Sequence, residues 1–366
     1  MASSSRVSKE EDELMGKYSN IDEYGFIRGK DFDYKSYENF FSEYTTVLAK
    51  RAARWNWLLD DGAKTKIKTD FRVKRFCRKG IPMQFRKMVW MNISGAQKRL
   101  DKNTGLYRRL VNDYQTSASD ESLLDAIQTD IDRTFPDNVH YRSGETAKKG
   151  KRPELDRVLT GVGRYKKEIG YCQGMNYIAA LLLLIIDDEE SVFWLMVTLL
   201  EDILPPDYYT NSLVGIRTDM EVLGDLVKER NPAVSSCFER ESIDWVLISS
   251  KWFICLYADI LPTETVLRIW DCLFTEGSKI LFRVALQLIS IRADKVKLAD
   301  DMPGIIEAFR DFNKDDAALE CHAFMQDCFV EKTPLRMSQI KKLRKIHENK
   351  LKNDDKEVEA RRNKKQ

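Results

Sequence analysis

Arg133 is the first side chain whose surroundings in the sequence could do chemistry. It follows Asp130 by three positions within the stretch 127–133. If that stretch is helical, residues at i and i+3 can touch, so Asp130 could hold the Arg133 guanidinium at a fixed angle. The alternative is an ordinary surface ion pair, which contributes about 0–1 kcal/mol to stability. Spacing alone favours the ion pair, so this stretch by itself does not decide the function.

Gln173 is the second such side chain. It belongs to Tyr171-Cys172-Gln173, a segment that lies between Gly170 and Gly174. An all-round apolar run, 175–186, follows directly and is predicted to be a buried helix. A glycine-flanked segment at the mouth of such a helix can present an amide rigidly. The alternative is that Gln173 caps the helix, and the segment alone favours that interpretation.

Other kinds of catalytic site are missing from the sequence. Its three histidines, at positions 140, 322 and 347, offer no histidine-based triad. No Walker-type loop or dinucleotide fingerprint occurs, which predicts that the chain binds no nucleotide by itself. Cys321-His322 and Cys328 lack two further ligands at finger-like spacing, so we predict no metal site. What remains is a braced Arg and a rigid Gln. GTP hydrolysis needs these two groups, one to neutralise charge on the phosphates and one to orient the water.

The arginine stretch needs a helix to position it. Asp120 and Glu121 suit the positive first turn of such a helix, and Pro136 stops the pattern. With a turn of about 100° per residue, the apolar side chains gather into one stripe. They are Leu123, Leu124, Ile127, Ile131 and Phe135. We therefore predict a helix that reaches Phe135 and carries Arg133 roughly 150° away from the stripe.

A second helix of interest follows the turn Gly80-Ile81-Pro82. It contains Arg86 and Trp90, which stand at i and i+4 and therefore share one face. This spacing predicts a stacked or buried Arg86. A purely structural role for the pair is the favoured interpretation.

The composition indicates a large protein with an apolar core. The chain has 366 residues, 43% hydrophobic and 32% charged, which allows one big domain or two ordinary ones. Its net charge of +2 creates no global field that would attract nucleic acid. Seven scattered cysteines are typical of reduced, buried thiols. The start lacks the apolar core of a signal peptide, and the longest apolar run, 177–186, is far shorter than the ~20 residues that span a bilayer. We therefore expect a soluble, cytoplasmic protein.

Helical periodicity recurs along most of the chain, and no alternating run is long enough to need a sheet, which predicts an all-α fold. Residues 1–35 are predicted to be a loosely attached lead-in, and 37–58 an amphipathic helix on the main body. Residues 64–79 carry eight Lys and Arg against one Asp, which is typical of a solvated face. An anionic membrane or an acidic partner is the alternative for this run. From 336 to 366, twelve Lys and Arg against five Asp and Glu predict a solvated helix that frays.

Three ordered motifs resemble the TBC domain, and the resemblance spans about residues 78–290. The motifs are Gly80-Ile81-Pro82 with Arg86 and Trp90, Ile127…Asp130…Arg133-Thr134-Phe135-Pro136, and Gly170-Tyr171-Cys172-Gln173-Gly174-Met175-Asn176. Trp270-Asp271 fits the pattern near the end of that domain. TBC proteins act as GTPase-activating proteins for Rab GTPases.

The resemblance implies an all-helical, two-lobed domain that grips the Rab switch regions in a groove. It implies that Arg133 is an arginine finger and that Gln173 is a glutamine finger replacing the Rab's own catalytic glutamine. Asp130 and Tyr171 would then orient these two side chains. One departure is visible, because Lys166-Lys167-Glu168 stands where family members often carry Asn-Pro. Since both fingers are intact, this departure bears on Rab preference.

The same resemblance implies that Arg86 and Trp90 support the site. GTP and Mg²⁺ would be carried by the partner Rab, so we expect no cofactor in this chain and no intrinsic nucleotide hydrolysis. We expect residues 1–77 to form the lead-in with its amphipathic helix, 78–290 the TBC domain, and 291–366 C-terminal helices with a basic tail.

Two alternative functions remain open beside Rab-GTPase activation. One is a non-catalytic Rab-binding scaffold, against which the presence of both Arg133 and Gln173 argues. The other is a membrane- or acid-binding adaptor that uses the basic run 64–79. In either case the protein could associate peripherally with anionic intracellular membranes.

Overall fold

The apolar stripes of the sequence fold into helices that bury those stripes against one another. A computed structural model describes residues 20–29, 33–60, 67, 69–112, 118–142, 150–312, 316–330 and 334–363. Within these ranges the structure has no β-strand. It has two isolated antiparallel β-bridges, Ile21 with Ile27 and Phe26 with Asn138. The predicted all-α fold is confirmed.

The helices are numbered in chain order over the described residues. They are α1 Tyr34–Asp60, α2 Phe71–Lys79, α3 Met83–Ser94, α4 Ala96–Lys102, α5 Leu106–Asn112, α6 Ala118–Ile131, α7 Arg152–Tyr165, α8 Met175–Ile186, α9 Glu189–Thr198, α10 Val214–Arg230, α11 Pro232–Arg240, α12 Trp245–Ile254, α13 Thr263–Glu276, α14 Lys279–Leu298, α15 Met302–Ala308, α16 Asp316–Leu319, α17 Cys321–Asp327 and α18 Met337–Asn363. A π-helical turn, Leu199–Ile203, continues α9.

Helix α8 is the centre of the first lobe. Its residues are apolar on every side, which requires neighbours all around it. Helices α3, α6, α7 and α9 pack against it. It starts after Gly174 and ends before Asp187, both in the left-handed conformation, so the predicted bounds of this helix are confirmed.

Helix α13 is the centre of the second lobe. It is buried by α2, α3, α14 and α17, and α3 contacts both α13 and α8. The first lobe is the group of helices around α8 and the second lobe is the group around α13. The two lobes therefore share α3. Trp55 of α1 is fully buried and donates its indole N–H to the Gly80 carbonyl at 3.1 Å. The amphipathic helix predicted for 37–58 thus packs on the main body.

The helix that leads to Arg133 ends earlier than predicted. Helix α6 stops at Ile131, and Arg133 lies in the turn that follows. The proline ring disfavours the right-handed helical region for the residue before it. Phe135 precedes Pro136 and adopts a positive φ of 44°. The expectation of a helix through Phe135 was therefore wrong, and Arg133 projects from a turn.

The two ends of the described chain are attached more firmly than predicted. Residues 20–29 are not loosely held, because Ile27 N–H donates to the Asp137 carbonyl at 3.0 Å. Helix α18 is not simply solvated, because Arg344 forms a two-point ion pair with buried Asp219 at 2.6 and 2.8 Å. Residues 1–19, 61–66 and 68 lie outside the described residues, so the lead-in and the basic run are only partly described.

The seven cysteines, all within the described residues, form no disulfide, and six of them are buried, as their positions in apolar runs predicted. Among the described residues, no helix combines the length and apolar character needed to cross a membrane.

Candidate functional site

Asp130 is the residue around which the predicted site is built. It lies one position before the end of α6, and its side chain is 4% exposed. Its Oδ1 accepts hydrogen bonds from Arg133, at 2.8 Å from Nε and a second from Nη2. Its Oδ2 accepts a 2.5 Å bond from the hydroxyl of Tyr171. One buried carboxylate therefore joins the arginine motif to the tyrosine-glutamine motif.

Arg133 combines a fixed base with an accessible end. Its side chain is 52% exposed, although it is anchored on the buried Asp130. The carboxylate engages Nε and Nη2, and Nη1 makes no hydrogen bond to any residue that the structure describes. The pairing predicted from i and i+3 spacing is thus present, and it holds the guanidinium by one edge only.

A second connection between the two motifs runs through buried Thr134 and Asn176. The Thr134 hydroxyl donates to the Asp130 carbonyl at 2.6 Å and accepts from Asn176 Nδ2 at 2.8 Å. The side-chain oxygen Oδ1 of Asn176 in turn accepts a hydrogen bond from the Gly174 N–H at 2.9 Å. The residue after Arg133 is therefore linked to the residue after Gln173 without solvent between them.

Sequence reasoning assigned no role to Thr134 and Asn176. The available signal was Asn176 itself, the one amide in the apolar stretch 175–186. Because buried polar groups are nearly always hydrogen-bonded, a lone Asn in a buried helix points to a partner elsewhere in the chain.

Gln173 lies exposed in the loop between α7 and α8. Its amide makes no hydrogen bond to any described residue, and the cap of α8 is Gly174, without a side-chain bond. The alternative that Gln173 caps α8 is therefore wrong. Gly174 has a φ of 108°, and a Cβ there would lie 2.3 Å from Cγ2 of Ile254. The loop thus rests directly on the end of α12, which fixes the backbone beneath Gln173.

Arg86 and Trp90 are both buried and lie in a cluster separate from the two fingers. The Arg86 guanidinium pairs with Glu264 at 3.1 Å and with Asp271 at 3.5 Å. Trp90 donates its indole N–H to the same Asp271 oxygen at 2.9 Å. The predicted burial of Arg86 is confirmed. Neither side chain hydrogen-bonds Arg133 or Gln173 within the described residues, so any support that they give is indirect.

Burial shapes the electrostatics of both clusters. Burial and the bond to Asp130 raise the pKa of Tyr171, which keeps its hydroxyl a donor at neutral pH. Burial raises the pKa of Asp271 to about 6, although Arg86 opposes this. Burial alone would also raise the pKa of Glu264, but Arg86 outweighs it and the pKa is lowered. Glu264 is therefore the carboxylate that stays charged beside Arg86 at lower pH than Asp271 does.

Among the described residues, no group of three His, Cys, Asp or Glu side chains is placed to hold a metal ion.

Comparison with known proteins gives a family match. The family model described as the Rab-GTPase-TBC domain matches residues 83–297. The chain is 46% identical over 336 residues to growth hormone-regulated TBC protein 1 of Xenopus tropicalis, covering 92% of this chain and 96% of the relative. It is 34% identical over 314 residues to the GTPase-activating protein MSB4 of Saccharomyces cerevisiae, covering 76% and 63%.

A solved structure agrees with these matches. The fold is similar to the Chlamydomonas flagellar RabGAP TBC domain, with a TM-score of 0.69 and 29% identity. The alignment covers 84% of this chain and 98% of that domain. The resemblance predicted from three motifs is thus found independently in sequence and in fold.

Proposed function

The chain belongs to the Rab-GTPase-TBC domain family, and from this premise we propose that it stimulates GTP hydrolysis by a Rab-family GTPase. MSB4, one of its relatives, is named a GTPase-activating protein. The observation that carries the proposal is the contrast between Arg133 and Gln173, which are exposed, and their supports Asp130, Thr134 and Asn176, which are buried and mutually bonded. Such an arrangement presents two polar side chains to a partner in a fixed relation.

Arg133 would act on the phosphates of the bound GTP. Negative charge spreads over the phosphoryl oxygens in the transition state, and a guanidinium placed there stabilises it. Asp130 occupies Nε–H and one hydrogen of Nη2, which leaves both hydrogens of Nη1 and the second hydrogen of Nη2 to meet phosphate oxygens. The bond to Asp130 also reduces the side-chain motion that would otherwise be lost on docking.

Gln173 would act on the attacking water. An amide both accepts and donates hydrogen bonds, so it can hold a water and align it with the γ-phosphate. In this proposal Gln173 takes the place of the Rab's own glutamine. GTP and Mg²⁺ arrive with the Rab, and this chain contributes no cofactor and no hydrolysis of its own. The protein would work in the cytoplasm, on Rabs at the surface of intracellular membranes.

Two alternatives make different demands on the same residues. A non-catalytic Rab-binding scaffold does not require a buried carboxylate that fixes an exposed Arg. A membrane adaptor would use the exposed basic side chains of α2, which include Arg72, Lys74 and Arg75. Co-sedimentation with liposomes that contain anionic lipid tests the adaptor, which predicts binding that is lost when these three residues are replaced by Gln.

Phosphate release from a panel of GTP-loaded Rabs tests the proposal. Under single-turnover conditions with excess full-length chain, we expect a large acceleration for at least one Rab. Binding of the same Rabs is measured in parallel with a non-hydrolysable GTP analogue. Binding without acceleration on every Rab would support the scaffold and overturn the proposal.

A further inference from the structure

The segment 20–29 lies outside the part of the chain that matches the family model, yet it contacts the loop that follows Arg133. We infer that this segment, here called the strap, positions the Arg133 turn for catalysis. The inference rests on the proposed function, because it assigns the strap a part in presenting the arginine to a Rab. It adds positioning residues that are absent from the motifs of the resemblance.

Backbone hydrogen bonds tie the strap to residues 137–139. Ile27 N–H donates to the Asp137 carbonyl at 3.0 Å, and Val139 N–H donates to the Gly25 carbonyl at 2.9 Å. Between these two bonds, Asn138 Nδ2 donates to the Tyr24 carbonyl at 3.0 Å. Asn138 is fully buried by this contact. The loop is thus paired with the strap much as one strand pairs with another.

The strap also packs on Phe135, which lies two residues after Arg133. The rings of Phe26 and Phe135 meet edge to face, with centroids 5.1 Å apart. Phe135 has a φ of 44°, and a bulky side chain adopts this left-handed conformation only where its surroundings impose it. Tyr177 contacts the same ring at 5.2 Å from α8. Phe26 and α8 therefore hold Phe135 from two sides.

The far anchor of the strap is the buried Arg86 cluster. The Tyr24 hydroxyl donates to Glu264 at 2.5 Å, and Glu264 pairs with Arg86. Tyr44 of α1 donates to the other oxygen of Glu264 at 2.9 Å. Tyr24 therefore bonds to the second lobe through its side chain and to Asn138 through its backbone. This gives Arg86 a path to the site, through Glu264 and Tyr24.

Gly25 shows how closely the strap approaches the loop. Its φ is 90°, and a Cβ at this position would lie 2.8 Å from Cδ2 of His140 and 3.1 Å from Oδ1 of Asn138. A side chain at this position would push the strap away from residues 137–139. Replacement of Gly25 therefore detaches the strap without removing any group that could meet a Rab.

Upstream of Arg133 the chain is held by α6 and by the bonds of Asp130. Downstream it is held by the Asn176 bond to Thr134, by the Tyr177 ring on Phe135 and by the strap. If the strap is detached, the turn loses one of these supports and can relax while Asp130 still holds the guanidinium at one edge. The arginine would then be displaced relative to the docked GTP, and a misplacement of about 1 Å can lower a rate by about 100-fold. Docking of the Rab depends on a wide surface and should change little.

Three variants of the full-length chain test the strap: Gly25→Val, Phe26→Leu and Tyr24→Phe. A matched control is Tyr107→Phe, since the Tyr107 hydroxyl also donates to a carboxylate, Glu189, at 2.6 Å, far along the chain from either finger. Single-turnover hydrolysis is measured against chain concentration, which separates the maximal rate from half-saturation. Hydrogen exchange at the Val139 amide reports whether the strap is attached.

We expect Gly25→Val to lower the maximal rate about tenfold or more, with half-saturation within about twofold of wild type and faster exchange at Val139. Phe26→Leu and Tyr24→Phe should give smaller losses of the same kind, and Tyr107→Phe none. An unchanged maximal rate in Gly25→Val with fast exchange at Val139 would overturn the inference, as would a loss confined to half-saturation. If the wild-type chain accelerates no Rab, the proposed function fails first, and that outcome is distinct.

Discussion

The Tyr171 hydroxyl donates a 2.5 Å hydrogen bond to Asp130, which lies 41 positions earlier in the chain. The other oxygen of Asp130 holds Arg133. Tyr171, two positions before Gln173, and Arg133 therefore share one buried carboxylate. This relation joins the two motifs into a single unit.

Arg133→Lys should be nearly as inactive as Arg133→Ala. Lysine keeps the positive charge but lacks the planar fork that reaches Asp130 and a phosphate oxygen together. We expect single-turnover hydrolysis on a responsive Rab to fall by about 10³-fold or more, with Rab binding preserved. Arg310→Ala is a matched control, because Arg310 pairs with Glu307 at the same i and i+3 spacing on the surface. Full activity in Arg133→Lys would contradict the arginine-finger role.

Gln173→Ala combined with Arg133→Ala should be only slightly slower than the worse single variant. Groups that act as one unit on a transition state are strongly non-additive. The double-mutant cycle is measured by single-turnover phosphate release on one Rab. If the two rate losses multiply in full, the two residues act independently, and the prediction is contradicted.

Tyr171→Phe should reduce activity without unfolding the protein. The variant removes one hydrogen bond to Asp130 and leaves the ring in place. A hydrogen bond to a charged group contributes about 1.5–3 kcal/mol to stability. The free energy of unfolding, measured with denaturant, should therefore fall by no more than this. We expect the maximal hydrolysis rate to fall by about tenfold or more, since Asp130 then orients Arg133 less firmly. Wild-type rates in Tyr171→Phe would show that Asp130 needs no support from the tyrosine.

Trp90→Ala should lower the stability of the fold more than it lowers the activity of the folded protein. Trp90 is fully buried, packs on Phe274 at 5.2 Å between ring centroids, and donates to Asp271. Removal of a buried aromatic side chain costs about 3–5 kcal/mol, and the loss of a donor to buried Asp271 adds to it. The melting temperature should drop by several degrees, while any folded fraction keeps its activity. An unchanged melting temperature would contradict this packing role.

Deletion of residues 351–366 should leave activity on a soluble Rab intact, because this segment is strongly charged and has almost no apolar side chains. Deletion of the whole of α18 should instead destabilise the protein. It removes Arg344 and leaves Asp219 buried without its cation, a loss of about 3–5 kcal/mol. Melting temperatures and kcat/KM of the two truncated chains check this. A large loss of kcat/KM on deletion of residues 351–366 would contradict the prediction, because it would show that this segment contributes to activity.

Much of the fold could be predicted from local sequence patterns. Helix α8 has the predicted bounds, because its all-round apolar run lies between Gly174 and Asp187, where the backbone turns left-handed. The burial of Arg86 was predicted from its i and i+4 spacing to Trp90 and is confirmed. The order of the motifs was sufficient to predict the family, which the match over 83–297 confirmed.

The position of Arg133 was harder to predict. Its apolar stripe suggested a helix through Phe135, whereas α6 ends at Ile131. The relevant local signal is Pro136, which restricts the residue before it, whereas the apolar periodicity alone extends the helix to Phe135. Propensity and period describe an isolated segment, and the left-handed Phe135 is held by rings that come from other segments.

By itself the sequence determined where most helices form, which faces they bury, and which side chains are candidates for the two fingers. These properties depend on residues within a few positions of one another. A helix contains many such residues, so its periodic pattern is clear from the sequence alone. Only the tertiary structure decided that Asp130 joins Arg133 to Tyr171, that Thr134 bonds Asn176, and that the strap supports the loop after the arginine. Each of these contacts is a single hydrogen bond or ring pair between distant segments. Its partners are chosen by how the whole core packs, so no local period reveals them.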